Sequence, residues 1–196
     1  MLLREHRERW ICQKAAEYRV RGRVLDVGAK DARHGKLFSG CAYEALDAEP
    51  KSGNVRKGDA HRLPYERDTF DCVLLIEVLE HVDDPLLVLG ECSRVLKRNG
   101  VMFFSTPYLA MPAHGDYWRF SVEGLRIMFK KAGLRIRSEE KFGGITSIFA
   151  TWLETIATAR KWGVMVKPFA ALAGAASRAE KPGMSYCESF YVLTKL

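Results

Sequence analysis

His81 and His114 each stand just past an apolar run, and histidine is the side chain whose ordinary pKa lies nearest neutrality. Either can take up a proton at working pH. Around the second of them, His114-Gly115-Asp116-Tyr117-Trp118-Arg119-Phe120 adds a carboxylate, a phenol and a guanidinium. His114 is the first candidate for a base or substrate orienter, with Tyr117 beside it, Trp118 and Arg119 as substrate contacts, and His81 as the second base. The competing reading of the cluster is structural: Asp116 and Arg119 form an ion pair, and Trp118 and Phe120 fill core.

A second constellation suits ligand binding rather than proton transfer. Val24-Leu25-Asp26-Val27-Gly28-Ala29-Lys30-Asp31 is a β-branched apolar run, an acid and a glycine, the way a buried parallel strand delivers its backbone to a nucleotide-type ligand. Asp47 lies 19 residues beyond Gly28, close to the offset at which an acid ending the next strand meets ribose hydroxyls. The turn is irregular, because Lys30, Ala32 and Arg33 stand where further glycines would be expected. A dinucleotide fingerprint would need glycine at 30 and 33, and an acid two residues before the first glycine suits a cationic amino-acid group better than a pyrophosphate.

The elements that must carry these residues follow from periodicity. An amphipathic helix is predicted over 3–20, covering the sheet edge or roofing the ligand site, within an N-terminal segment 1–22. Strands are predicted at 23–28, 42–47, near 54–60, at 70–77, 101–105, 134–142 and 186–196. A helix opened by Pro85 is predicted to run to Asn99-Gly100, and another spans Val122 to Ala132 with Ser121 as its cap. Strands alternating with helices predict a single α/β domain, 1–196, with a Rossmann-like doubly wound, mostly parallel seven-stranded sheet and helices on both faces. Ile145, Ile148, Phe149, Trp152, Leu153 and Ile156 recur at helical spacing, so 143–184 reads as a helical insertion or lid before the last strand. It could add core, a homodimer surface, or a peripheral membrane contact.

Composition narrows the class. The chain has 196 residues, 47% hydrophobic and 28% charged, ordinary for a soluble globular protein. Its five scattered cysteines have no ligand or redox spacing, which predicts reduced thiols and no metal. The N-terminal residues lack a signal-peptide core, and no run approaches the roughly 20 apolar residues of a membrane span, so a cytoplasmic protein is expected. The net charge of +7 sits at the two ends of the chain, which admits a nucleic-acid partner without favouring it.

Taken in order, Val24-Leu25-Asp26-Val27-Gly28, Gly58-Asp59-Ala60-His61-Arg62-Leu63-Pro64, Thr69-Phe70-Asp71-Cys72-Val73, Glu77-Val78-Leu79-Glu80-His81-Val82-Asp83-Asp84-Pro85 and Arg94-Val95-Leu96-Lys97-Arg98-Asn99-Gly100 resemble the class I S-adenosylmethionine-dependent methyltransferases, type 11 branch. The stretch from His114 to Leu125 looks like a subgroup often found in bacterial cell-surface or glycan settings, whose members tend to have an irregular first glycine loop. The resemblance implies S-adenosylmethionine as cofactor: Asp26 and Gly28 at its methionine part, Asp47 at the ribose, Asp59 and Ala60 at the adenine. It implies methyl transfer to an oxygen of a small-molecule or glycan-linked acceptor, because Ile76-Glu77-Val78-Leu79 replaces the Asn/Asp, double proline and aromatic of amino methyltransferases acting on nucleobases. The alternatives are a tRNA-modifying enzyme and a non-catalytic module on the same fold.

Overall fold

A computed structural model describes residues 2–108, 115–144, 146–150, 152–153, 172–173, 175 and 187–196. The sheet has seven strands in the order β3-β2-β1-β4-β5-β7-β6. In sequence they are β1 (Arg23–Val27), β2 (Ala42–Asp47), β3 (Arg56–Lys57), β4 (Phe70–Ile76), β5 (Leu96–Pro107), β6 (Leu134–Phe142) and β7 (Glu188–Lys195). β1 to β5 are parallel, and β7 runs antiparallel between β5 and β6. The order reverses between β1 and β4, and that crevice is where open sheets of this kind bind ligands.

Alternation along the strands makes two cores. Leu25, Val73, Leu75, Phe104 and Tyr191 face the side covered by helices α2 (Pro85–Val95) and α3 (Val122–Lys131). Val24, Leu74, Phe103 and Phe190 face the other side, where Trp10 and Ile11 of helix α1 (Leu2–Glu17) are buried. Trp10 lies with its ring centroid 5.7 Å from Phe103 and 5.0 Å from Phe190. α1 therefore covers a face of the sheet, not its edge, and each of its fully buried apolar side chains contributes roughly 1.5–3 kcal/mol. β4 is buried on both faces, which is why it reads as an unbroken apolar run.

The cap forms as predicted at α3, where the Ser121 hydroxyl accepts the Gly124 N–H; Pro85 opens α2 as predicted, and Asp84 ahead of it accepts the Leu87 N–H. The end of α2 differs from expectation. It stops at Val95 rather than at Asn99-Gly100, because Leu96 turns extended while its N–H still bonds the Cys92 carbonyl, and then pairs with Phe70. Lys97 reaches the Asp71 carboxylate at 2.8 Å, and a Cβ at Gly100 would lie 2.9 Å from the Asp71 carbonyl oxygen. Asn99-Gly100 is thus a kink inside the paired strand, at the register shift between Phe70 and Cys72. β3 also shrinks to two residues.

In the 143–184 segment, 146–150 and 152–153 are helical, with Ile148 buried but Phe149 and Trp152 exposed. Most of that segment, Ile145 and Ile156 included, lies outside the described residues. No helix among the described residues is long and apolar enough to cross a membrane.

Candidate active site at the carboxyl edge of the sheet

The loop after β1 starts with a backbone only glycine takes easily. Gly28 has φ +74°, its N–H donates to the Leu46 carbonyl, and a Cβ there would fall 2.4 Å from Val78 Cγ2. The irregular positions keep a glycine-like path: Lys30 has φ 49° and Ala32 φ 54°, both left-handed. Each such residue costs about 1–2 kcal/mol. The turn is held by the Lys30 N–H donating to Asp47 Oδ2 at 2.9 Å and the Lys30 carbonyl accepting from Lys51 N–H at 2.8 Å. The Lys30 side chain points into water. Lys30→Gly is expected to raise stability by about 0.5–1 kcal/mol, because relief of strain exceeds the added freedom of the unfolded chain. Calorimetry would show this as a rise in Tm of a few degrees.

The acids expected to hold a ligand end adjacent strands but differ in surroundings. Asp26 is buried, and its Oδ2 accepts from the Tyr43 hydroxyl and lies 2.9 Å from His34 Nδ1. It thereby ties β1 to β2 and to the 3₁₀ helix Arg33–Phe38 beneath the loop. Burial, and then Asp26 itself, pushes the Tyr43 phenol up, so it stays a donor. Asp47 is also buried; its oxygens accept the Lys30 and Glu49 N–H groups, and each keeps a second lone pair for a hydroxyl. Asp59 is exposed, bonded to the backbone N–H and ring of His61, and those bonds hold its pKa below the ordinary value. His61 Nε2 also lies 2.9 Å from Asp83, joining the loops after β3 and β4. Ala60 is half-buried against the core.

The proton-handling groups gather beyond β4. Glu77 follows the strand with φ 54°, an uncommon conformation for a residue with a side chain. Its carboxylate accepts from Ser105 Oγ on β5 at 2.9 Å and from Arg7 of α1 at 2.9 Å, and Arg7 also reaches Glu188 of β7 at 2.6 Å. In the next turn, Leu79–His81, Glu80 is buried and its Oε2 accepts from Thr106 Oγ1 at 3.4 Å. His81 is half-exposed, with Nδ1 3.1 Å from Asp116 Oδ1 and Nε2 3.9 Å from Glu80. Asp116 is in turn paired with Arg119 at 2.5 Å.

The 115–120 segment is strapped over this turn. The Tyr117 and Trp118 N–H groups donate to the Glu80 carbonyl, and the Trp118 indole N–H donates to the Val82 carbonyl at 2.7 Å. Phe120 fills core, whereas the Tyr117 side chain is 69% exposed and Trp118 43% exposed, so both aromatics face outward at the site. The Asp116–Arg119 pair expected on structural grounds does form, and the same Asp116 meets His81. His114 lies outside the described residues.

Arg7, Glu77, Glu80, Ser105 and Glu188 were not singled out by sequence reasoning. The available signal was a pair of acids, Glu77 and Glu80, directly after a strand with no polar residue near its end. Burial, and then the neighbouring Glu77 charge, raises the Glu80 pKa to about 8. The folded protein therefore binds a proton that the unfolded chain, at 4.5, releases, so stability falls as pH rises from about 4.5 to 8. Glu80→Gln is expected to unfold at a higher temperature than the natural protein at pH 8.5, by on the order of 1–3 kcal/mol, and alongside it at pH 4.5. Paired melts at the two pH values check this.

Comparison with known proteins bears on what such an edge binds. A methyltransferase-domain family model matches residues 36–104. The ubiquinone biosynthesis O-methyltransferase of Parvibaculum lavamentivorans is 40% identical over 108 residues, 47% of this chain and 43% of that protein. The enzyme of the same name from Klebsiella pneumoniae strain 342 is 29% identical over 118 residues, 60% and 45% of the two chains. The chain thus matches a methyltransferase domain over about a third of its length, which supports the class I S-adenosylmethionine-dependent methyltransferases, type 11 branch.

It spans less than half the length of the curated relatives it matches. Among solved structures, a putative sarcosine dimethylglycine methyltransferase from Galdieria sulphuraria superposes with a TM-score of 0.68 at 18% identity, covering 97% of this chain and 85% of that one. The cyclase SpnF superposes at 0.65 with 21% identity, covering 96% and 81%. These likenesses concern the fold. The residues present fit the family's cofactor at the end of β2, where Asp47 offers acceptors fixed by the Lys30 and Glu49 N–H groups.

Proposed function

We propose that this methyltransferase-family chain moves the methyl group of S-adenosylmethionine onto an oxygen of a small-molecule or glycan-linked acceptor. The observation that carries the reading is the His81–Asp116–Arg119 chain standing beside buried Glu80 at the carboxyl edge of the sheet, one strand away from the Gly28 loop. The names of the O-methylating relatives support the choice of oxygen.

When bound, the cofactor supplies a methyl carbon on a cationic sulfur. Asp47 accepts the ribose hydroxyls, Gly28 and the turn through Lys30 and Ala32 seat the amino-acid end, and Asp59 and Ala60 border the adenine. Asp26 supports this loop from below, through Tyr43 and His34. The chain's other task is to align an acceptor hydroxyl with that carbon and exclude water. Tyr117, Trp118 and Arg119 border the acceptor. His81 would take the proton of the acceptor hydroxyl, with Asp116 facing its Nδ1 and holding the imidazolium that results. His114 follows β5 in sequence and is the other candidate for that proton.

Isothermal titration with S-adenosylhomocysteine tests the first step, and absence of binding at millimolar concentration removes the proposal. A panel of phenolic, sugar and amine acceptors, assayed for methylated product, tests the second. Methylation confined to the amines would overturn the oxygen reading.

A further inference from the structure

We propose that Arg7 is a positioning residue of the active site, holding Glu77 so that the turn after β4 stays seated against the cofactor loop, and that the N-terminal helix is thereby part of the site. The inference rests on the cofactor reading above. Arg7 is the point where three strand ends meet α1: its Nη2 donates to Glu77 after β4, its Nε donates to Glu188 at the start of β7, and Glu77 is joined to Ser105 of β5 by both side chain and backbone. The guanidinium fork suits this task, since it presents donors in fixed directions to two carboxylates at once.

The link to the cofactor runs through one residue. Glu77 has left-handed backbone, and Val78 next to it is the side chain that fills the space beside Gly28. A conformation of that kind persists only where surrounding contacts over-determine it. Here those contacts are the Arg7 and Ser105 bonds to the carboxylate and the Glu77 N–H bond to the Ser105 carbonyl. Releasing the carboxylate frees the turn, and with it the wall against which the loop after β1 closes. The charges agree with this role: Glu188 is buried with its pKa raised by burial and by Glu77, and Arg7 opposes that rise. Without Arg7, the Glu77, Glu80 and Glu188 carboxyls would share one region with no cation from α1.

The test is a double-mutant cycle read by S-adenosylhomocysteine affinity in the full chain at neutral pH. Arg7→Met is expected to weaken binding tenfold or more, Glu77→Gln by a similar factor, and the double variant no more than the worse single one. Arg7→Lys, which keeps the charge but loses the fork, is expected to weaken binding by about three- to tenfold, between the natural protein and Arg7→Met. Lys14→Met removes another α1 clamp, the ion pairs to Glu17 and Glu140, and is expected to lower Tm while leaving the affinity unchanged. If Arg7→Met does not fold, Arg7→Lys and Glu77→Gln carry the comparison. Unaltered affinity in Arg7→Met or Glu77→Gln, additive losses, or an equal loss in Lys14→Met would overturn the proposal while leaving the cofactor reading intact. Failure of the natural protein to bind would overturn both.

Discussion

Gly28→Ala is expected to destabilise the protein by about 2–5 kcal/mol and to weaken S-adenosylhomocysteine binding by at least tenfold. Two costs combine. At φ +74° an alanine pays about 1–2 kcal/mol for its Cβ. The new methyl would also lie 2.4, 3.2 and 3.4 Å from Val78 Cγ2, Cγ1 and Cβ, so rotating that side chain does not clear it, and overpacking of this kind costs about 1–3 kcal/mol. The loop can escape only by moving away from the turn after β4, which displaces the backbone from its ligand. Gly28→Ala with Val78→Ala separates the two costs: the clash goes and the left-handed strain stays, so part of the stability returns. Chemical denaturation and titration calorimetry on the single and double variants measure both. An alanine variant with natural stability and affinity would show that the loop does not depend on this contact.

His81→Ala should lower methyl transfer by about 10² to 10⁴-fold, the usual worth of a positioned proton acceptor, while cofactor affinity stays within about twofold. The separation is expected because the acids proposed to meet the cofactor, Asp47 and Asp59, end β2 and follow the short strand β3, whereas His81 belongs to the turn after β4. Asp116→Asn should have a smaller effect in the same direction, since it keeps the shape but loses the charge facing His81 Nδ1 at 3.1 Å. Single-turnover methylation of whichever acceptor the panel identifies is the measurement. Unchanged rates in His81→Ala would transfer the base role to His114, and unchanged rates in both His81→Ala and His114→Ala would remove histidine catalysis.

Much of the fold was legible because burial writes itself into local patterns. β4 is apolar throughout since both its faces are covered, Ser121 caps where its side chain can reach an unpaired N–H, and the acids of β1 and β2 fall at the strand ends. The end of α2 was misread for an equally physical reason. Asn-Gly is a common helix terminator, but here the strand pairing of Leu96 with Phe70 began four residues earlier and outweighed it.

The carboxylate cluster was only half visible. Glu77 and Glu80 lie three residues apart, yet their partners Arg7 and Glu188 are 70 and 111 positions from Glu77, and no local pattern records such a pairing. The same holds for Asp26: its type and place before Gly28 suggested a direct ligand contact, whereas its contacts with His34 and Tyr43 emerge only when β1, β2 and the 3₁₀ helix pack together.

Sequence alone determined the strand and helix alternation, the positions of Gly28 and Asp47, and the resemblance to methyltransferases, because those depend on residue type and short spacing. Tertiary structure decided the rest. Lys30 and Ala32 keep a glycine-like path because Asp47 and Lys51, from the next strand and its loop, hold the turn. Glu80 holds its proton near neutral pH because the sheet buries it beside Glu77. And α1 joins the site because one guanidinium reaches across two strand ends.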